Sequence, residues 1–322
     1  MDNVFVLSHA SDIDGVASAA LIKIRFDVPL KNIYFSTYSE DGLKYAKEHM
    51  RANEVKCPVL FITDMGINER LTAFFKEILE KFRAENGMVI WLDHHIWSDK
   101  DIREIAGKCD IAIVGENPKY CATEITRKFL GLEDMFTKKL AGIVHYSDFN
   151  ITPKDREKYD LIGTYAIAIT YYNTFDSWSG KVGRLRKITA TLASGRLANA
   201  AIKRDRKIFE RQNNARIKAM LKSLHYLGSY AALGFAEDVQ STQACAAIMK
   251  AGGRDVGIYV NTKRGKGSIR SVKRDISVLA RRLGGNGHPH AAGFQIDTRK
   301  FDLENEEGRE KLLKLIEMKL KK

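Results

Sequence analysis

Three short stretches of the sequence gather histidines and aspartates at spacings that suit metal-assisted chemistry. Ser8-His9-Ala10-Ser11-Asp12-Ile13-Asp14-Gly15 follows an apolar run at residues 4–7, Asp64 follows residues 58–63, and Asp93-His94-His95 follows residues 88–92. Each polar group therefore stands at the end of a short apolar run, and in an open parallel sheet ligands bind just beyond the carboxyl ends of the strands. Asp12, Asp14, Asp64 and Asp93 sharing one crevice would repel one another and carry raised pKa values unless cations lay among them. Mixed carboxylate and imidazole donors suit Mn2+. Two cations ~3.5–4 Å apart that share a carboxylate are a recurrent device for phosphoryl hydrolysis, because they polarise the phosphate and acidify water. Singly, the same residues have plainer roles. Asp12 or Asp14, taken alone, could as readily be the cap of a helix starting near Gly15 as a functional group, and a lone histidine is most often a satisfied core residue. The ensemble is what points to a metal site.

The elements that must position these residues are legible as periodic patterns. Residues 4–7, 33–36, 58–62, 88–92 and 111–114 are short and rich in β-branched side chains, the signature of buried strands. Helical patterns lie between them at about 16–25, 41–52 and 68–84. This alternation predicts an α/β fold, with a mostly parallel sheet and right-handed crossovers. From about residue 120 to 227 the pattern is almost wholly helical, and residues 198–227 carry a dense cationic face that suits a long connecting helix with a solvated side. A second, smaller α/β unit follows, with strands at 230–235, 256–261 and 268–272 and helices at 242–251 and 276–283. A glycine-rich turn and a C-terminal helix from about 303 complete it. The expected division is a catalytic domain over 1–150, a helical connector over 151–227 and a substrate-binding domain over 228–322.

That second unit holds its own candidates. In Gly284-Gly285-Asn286-Gly287-His288-Pro289-His290, glycines such as Gly285 and Gly287 let backbone N–H groups approach an anion, and His288 beside them could donate to a phosphate oxygen. Most glycine-rich turns are only turns, so the signal gains weight from its surroundings. Upstream, residues 263–274 crowd cations around a strand; Lys263 and Lys266 read as a solvated tip, whereas the fork of Arg270 in the strand suits bidentate phosphate contact.

Composition narrows the partners. Of 322 residues, 44% are apolar, enough to bury a core and to exclude global disorder. Lys and Arg outnumber Asp and Glu by 53 to 40, a balance of +13 that favours polyanions through counterion release, although a basic surface can also simply aid solubility. The four cysteines form no CxxC pair and read as buried thiols in a reducing compartment. Neither a basic leader nor an apolar run of ~20 residues appears, so a cytoplasmic protein without a membrane anchor is expected.

His9-x-x-Asp12-x-Asp14-Gly15, Asp64, Asp93-His94-His95 and Asp148 together resemble the four signature motifs of the DHH phosphoesterases. That superfamily comprises RecJ-like exonucleases, nanoRNases, cyclic-dinucleotide phosphodiesterases and manganese pyrophosphatases. Tyr120-Cys121-Ala122-Thr123-Glu124 resembles the small-residue helix start between the third and fourth motifs. The resemblance implies that His9, Asp12 and Asp64 hold one metal and that Asp14, Asp64, His94 and Asp148 hold the second, with Asp64 bridging. It implies catalytic support from Asp93, orienting a ligand histidine, and from His95, facing the substrate phosphate. Asp148 lies in a helical stretch that composition alone would not single out, and His145, one turn earlier, is assigned a structural part.

The glycine-rich segment resembles the GGGH-type motif of the DHH-associated domain, which follows the catalytic domain in the nuclease and nanoRNase branches; His288 would be its histidine. The family's substrate-contacting arginine and serine map to Arg270 and Ser271. By resemblance, and with a charge-rich composition like the archaeal-type members, the chain is expected to be an exonuclease or nanoRNase with two Mn2+ ions, Mg2+ being the other ion considered. It would degrade single-stranded RNA or DNA, or short oligonucleotides, to mononucleotides. A second copy of the chain and a repair protein are further partners the resemblance allows. A cyclic-dinucleotide or nucleotide phosphodiesterase is the alternative enzyme. An inactive nucleic-acid-binding scaffold is the reading from another class, disfavoured because every expected Asp and His is present.

Overall fold

A strand covered on both faces has no solvent side, so all its residues must tolerate burial. β1 (Val4–His9) is buried throughout and lies inside a five-stranded parallel sheet of order β2-β1-β3-β4-β5, with β2 (Ile33–Ser36), β3 (Val59–Thr63), β4 (Met88–Leu92) and β5 (Ile111–Ile113). The computed structural model describes residues 2–50, 54–67, 69–115, 117, 119–149, 151–175 and 177–320, in two units, Met1–Lys207 and Ile208–Lys322. All five predicted strands of the first unit form, as do the helices between them, and a further short helix, α4 (Asp99–Glu104), lies between β4 and β5.

Alternate residues of each strand enter different cores, as the period of two requires. Val4, Val6, Phe61, Ile90 and Leu92 face α1 (Ile13–Phe26), α5 (Ala122–Phe129) and α6 (Met135–Asp148). Phe5, Leu7, Leu60, Ile62 and Trp91 face α2 (Glu40–His49) and α3 (Glu69–Ala84). The chain moves from β1 to β2 on one side, then crosses to β3 on the other, so the strand order reverses beside β1. Register does the rest. Ser8 pairs with Thr63 and Thr63 with Leu92, so the next residues, His9, Asp64 and Asp93, leave three neighbouring strands at one level.

Residues 151–207 differ from the expected connector. α7 (Arg156–Asn173) and α8 (Trp178–Ala193) place Tyr165, Ile169, Leu185, Ile188 and Leu192 in the same core as α1. Trp178 Nε1 donates to the Phe35 carbonyl at 3.2 Å, and Arg186 Nε to that of Ile33 at 2.7 Å. These helices wall one face of the sheet. The division between units falls instead within α9 (Ala200–Met220).

The second unit is a six-stranded mixed sheet of order β10-β11-β9-β8-β7-β6. β6 (His225–Leu227) pairs antiparallel with β7 (Ala231–Ala236), which runs parallel to β8 (Val256–Asn261) through the crossover helix α10 (Ser241–Gly252). β9 (Lys266–Ser271) returns antiparallel, followed by α11 (Ser277–Arg282), β10 (Asn286–His288), β11 (Ala291–Gln295) and α12 (Glu306–Leu320). The glycine-rich segment is thus a strand pair and not the open turn expected. Gly285 answers to crowding, since a Cβ there would stand 2.0 Å from the Gly293 carbonyl oxygen, whereas Gly284 has a positive φ of +77 and open space. Cys121 and Cys245 are buried, but Cys57 is exposed and Cys109 half-buried, so the expectation of buried thiols holds for two of the four. Among the described residues, no helix is long and apolar enough to cross a membrane.

If α8 belongs to the first core, Leu185→Ala should cost about 2–5 kcal/mol, as fully buried leucines do. Urea unfolding measures this, and a loss under about 1 kcal/mol would return α8 to the role of a loose connector.

Candidate metal centre

The site forms where β1, β3 and β4 end, at the topological switch point, where sheets of this kind bind ligands. Ser8 fixes the local geometry: its Oγ donates to the Gly15 carbonyl at 2.7 Å and shares a 2.7 Å bond with Thr63 Oγ1. α1 starts so close to β1 that a Cβ on Gly15 would lie 2.2 Å from the His9 carbonyl oxygen, so glycine is required there. Between them, Asp12 is exposed and caps α1, its Oδ1 accepting from the amides of Asp14 at 3.1 Å and Gly15 at 3.4 Å. The two aspartates are therefore not equivalent as caps. Asp12 takes that role, and Asp14 turns inward.

Asp14 is buried against the start of α5. Its Oδ1 accepts from the Thr123 amide at 2.7 Å and the Thr123 hydroxyl at 2.6 Å, and its Oδ2 from the Ala122 amide at 2.8 Å. Burial and the charge of Asp148 push its carboxyl up to about 7, against the pull of the Thr123 hydrogen bonds. Asp64 is 2% exposed and its Oδ2 has no hydrogen-bond partner. Burial first, then the charges of Asp14, Asp12, Asp93 and Asp148, push it well above the carboxylate range. Its backbone is held at φ +55, a left-handed conformation that costs a non-glycine residue of order 1 kcal/mol or more.

His94 Nε2 lies 3.7 Å from Asp14 Oδ2, 3.6 Å from Asp64 Oδ1 and 3.7 Å from Asp148 Oδ2. These separations exceed the ~3.2 Å of a hydrogen bond but suit donor atoms grouped around a common cation. Among the described residues, two sets could hold a metal: Asp14, His94 and Asp148, and Asp64, His94 and His95. In the second set His95 is already engaged, because Asp93 Oδ1 accepts from its Nδ1 at 2.8 Å. Asp93 Oδ2 accepts from the His95 amide at 3.1 Å and Trp97 Nε1 at 2.8 Å. Burial works against charge on Asp93, but the hydrogen bonds and charge of His95, with Trp97, outweigh it and hold the carboxyl below its usual range. Burial likewise disfavours a charged His95, yet Asp93 prevails and the imidazole's pKa rises. Asp93 therefore orients His95.

His9 is 8% exposed, with its Nδ1 unpartnered and its ring 5.1 Å from that of Tyr38; burial lowers its pKa. The residues present fit divalent cations. Two buried atoms of donor type, His9 Nδ1 and Asp64 Oδ2, lack partners where such atoms almost always have one. Asp12 and His9 belong to neither of the tight sets, though the charge of Asp12 acts on both His9 and Asp64.

Two further residues escaped sequence reasoning. Tyr38, just beyond β2, receives a hydrogen bond from the Gly66 amide at 3.2 Å and feels the charges of Asp93 and Asp64. Trp97 anchors Asp93. Position after a strand end was a usable signal for Tyr38, whereas nothing in the sequence marks Trp97. In the second unit, Arg270 is half-buried at the end of β9, Nη1 donating to the Ile269 carbonyl at 3.0 Å. The Ser271 hydroxyl is buried and accepts from the Arg274 amide at 2.8 Å. Gly285 precedes β10, whose Gly287 pairs with Ala292; the side chain of His288 lies outside the described residues.

Residues 228–322 match the DHHA1 domain family. No curated protein matches the sequence. Among solved structures the chain is similar to RecJ of Thermus thermophilus in complex with Mn2+, at 17% identity and a TM-score of 0.55, covering 98% of this chain and 51% of that one. It is similar to an exonuclease RecJ bound to manganese, at 17% identity and a TM-score of 0.52, over 98% and 88% of the two chains. It is also similar to PggH, a pGpG-specific phosphodiesterase from Vibrio cholerae, at 13% identity and a TM-score of 0.51, over 98% and 99%. At these identities the likeness is one of fold.

Because Asp14 and Asp64 bind protons more tightly when folded than unfolded, chelator-treated protein should lose stability as pH rises. For Asp14 the window runs from about 4, the unfolded value, to the folded value of about 7, and the loss is at most on the order of 4 kcal/mol. Saturating Mn2+ should remove the decline, since metal binds the deprotonated ligands. In chelator, Asp64→Asn should gain on wild type as pH rises and overtake it, by a margin that grows with pH. Urea midpoints from pH 4 to 8 test both statements, and a variant less stable than wild type throughout would contradict them.

Proposed function

We propose that this chain, whose residues 228–322 match the DHHA1 domain and whose fold is like that of RecJ, is a member of the DHH phosphoesterase superfamily and a metal-dependent phosphodiesterase acting on short single-stranded oligonucleotides. The observation that carries the reading is the buried pair Asp14 and Asp64, facing His94 Nε2 together with Asp148. The counter-charges acting on Asp148 are the imidazoles of His94, His95 and His145, and a pair of divalent ions would supply the rest. Mn2+ is the ion we favour on the imidazole and carboxylate donor set. His9, Asp12 and Asp64 would hold one ion, and Asp14, Asp64, His94 and Asp148 the other, Asp64 being shared. When bound, the ions supply phosphate polarisation and a water acidic enough to attack at neutral pH.

The protein's own residues do the remaining work. Asp93 occupies His95 Nδ1 and favours the charged ring, which leaves Nε2–H free to donate to a phosphate oxygen. Thr123 and the start of α5 hold Asp14 rigid. In the second unit, Arg270, Ser271 and the glycines of the β10–β11 hairpin are proposed to bind nucleotide phosphate, with His288. The excess of basic residues favours a polyanionic substrate. A dinucleotide is the second reading, supported by the likeness over nearly the full length of a pGpG-specific phosphodiesterase.

A time course on end-labelled RNA and DNA oligonucleotides with Mn2+ should release mononucleotides, and Asp64→Ala should reduce the rate to background. Hydrolysis persisting in Asp64→Ala would dispose of the metal assignment. Strong preference for a cyclic or linear dinucleotide would move the substrate to the second reading.

A further inference from the structure

Glu124 and His145 take no part in the reaction as read above, yet they lie between two carboxylates that do. Glu124 stands in the first turn of α5, and His145 in α6, three residues before Asp148. His145 Nδ1 donates to Glu124 Oε2 at 2.8 Å, and the same oxygen accepts the Cys121 amide at 3.1 Å. The next two amides, of Ala122 and Thr123, are those that grip Asp14, at 2.8 and 2.7 Å. Three successive amides at the start of α5 are thus engaged, one by Glu124 and two by Asp14. On α6, His145 and Asp148 are spaced to share a face of the helix. The His145 ring rests 4.7 Å from that of Phe149, which in turn lies 6.3 Å from the ring of His94.

We infer that the Glu124–His145 pair is a strut that positions one metal subsite, the one built from Asp14, His94 and Asp148; this rests on the metal-dependent reading above. A capping glutamate needs no histidine, so ordinary helix capping accounts for half of the pair only. Stability does not account for it either, because both side chains are partly exposed, at 29% and 20%, and such pairs contribute little. The hydrogen bond that His145 makes is to Glu124, and it belongs to neither of the sets of described residues able to hold a metal. What the pair does do is tie the helix that presents Asp148 to the helix start that holds Asp14. Ligands held at fixed separation bind a cation without having to reorganise, and loss of such outer support typically costs 10–100-fold in metal affinity.

The test is Mn2+ titration of the full chain, followed by calorimetry and electron paramagnetic resonance, with thermal melts of the metal-free proteins alongside. Wild type should bind two ions. His145→Ala and Glu124→Ala should each weaken one ion by about 10-fold and leave the other nearly unchanged. The double variant should be no worse than either single change, because both act through one hydrogen bond. Glu124→Gln, whose amide oxygen still accepts both donors, should retain most of the affinity. If Glu124→Ala uncaps α5 and melts early, His145→Ala decides, since it leaves the cap intact. Two ions bound as in wild type by His145→Ala would overturn the strut, as would equal weakening of both ions. Wild type that binds no Mn2+ would remove the proposed function and the strut together, whereas unaltered variants of an active, metal-binding wild type would remove the strut alone.

Discussion

Two carboxylates that cannot reach water, Asp14 and Asp64, lie within each other's field, and the first unit is organised around that fact. Elsewhere a fold relieves such a conflict by turning one side chain outward or pairing it with arginine. Here neither escape is open. Asp14 is clasped by the start of α5, and Asp64 is fixed by a left-handed backbone. The tension is therefore built in, and it is the kind of stored unfavourable energy that persists where a bound partner relieves it.

The sheet makes the conflict unavoidable. Parallel register brings the ends of β1, β3 and β4 level, and each strand delivers its polar residue into the same space. Around that point the helices act as clamps: α5 on Asp14, α6 carrying Asp148, and the α1 start pressed onto β1 through Gly15. α7 and α8 complete the wall behind α1, so the clamps stand on a shared core and not on separate appendages.

Much of this was readable before any coordinates. The strand runs announced themselves through β-branched composition, and the His and Asp residues at their ends followed from position alone. What sequence could not resolve were choices made by tertiary contact. Asp12 and Asp14 were interchangeable as caps until α5 claimed Asp14. α7 reads as helical without disclosing which surface it covers, so the helical stretch passed for a connector. The glycine-rich segment looked like a loop because glycine signals both turns and close strand packing, and only the approach of the Gly293 carbonyl to Gly285 distinguishes them. Trp97 carries no local mark at all; its link to Asp93 exists only once the chain has turned after β4.

The grip of α5 on Asp14 also limits which ions the site can welcome. A carboxylate offers about four lone-pair directions, and Ala122 and Thr123 consume three of them. Asp14 is left with a single direction to give and cannot chelate through both oxygens. Calcium, which prefers seven or eight oxygens and often takes carboxylates two at a time, would be undersupplied, while a smaller six-coordinate ion asks for no more than this side chain has left.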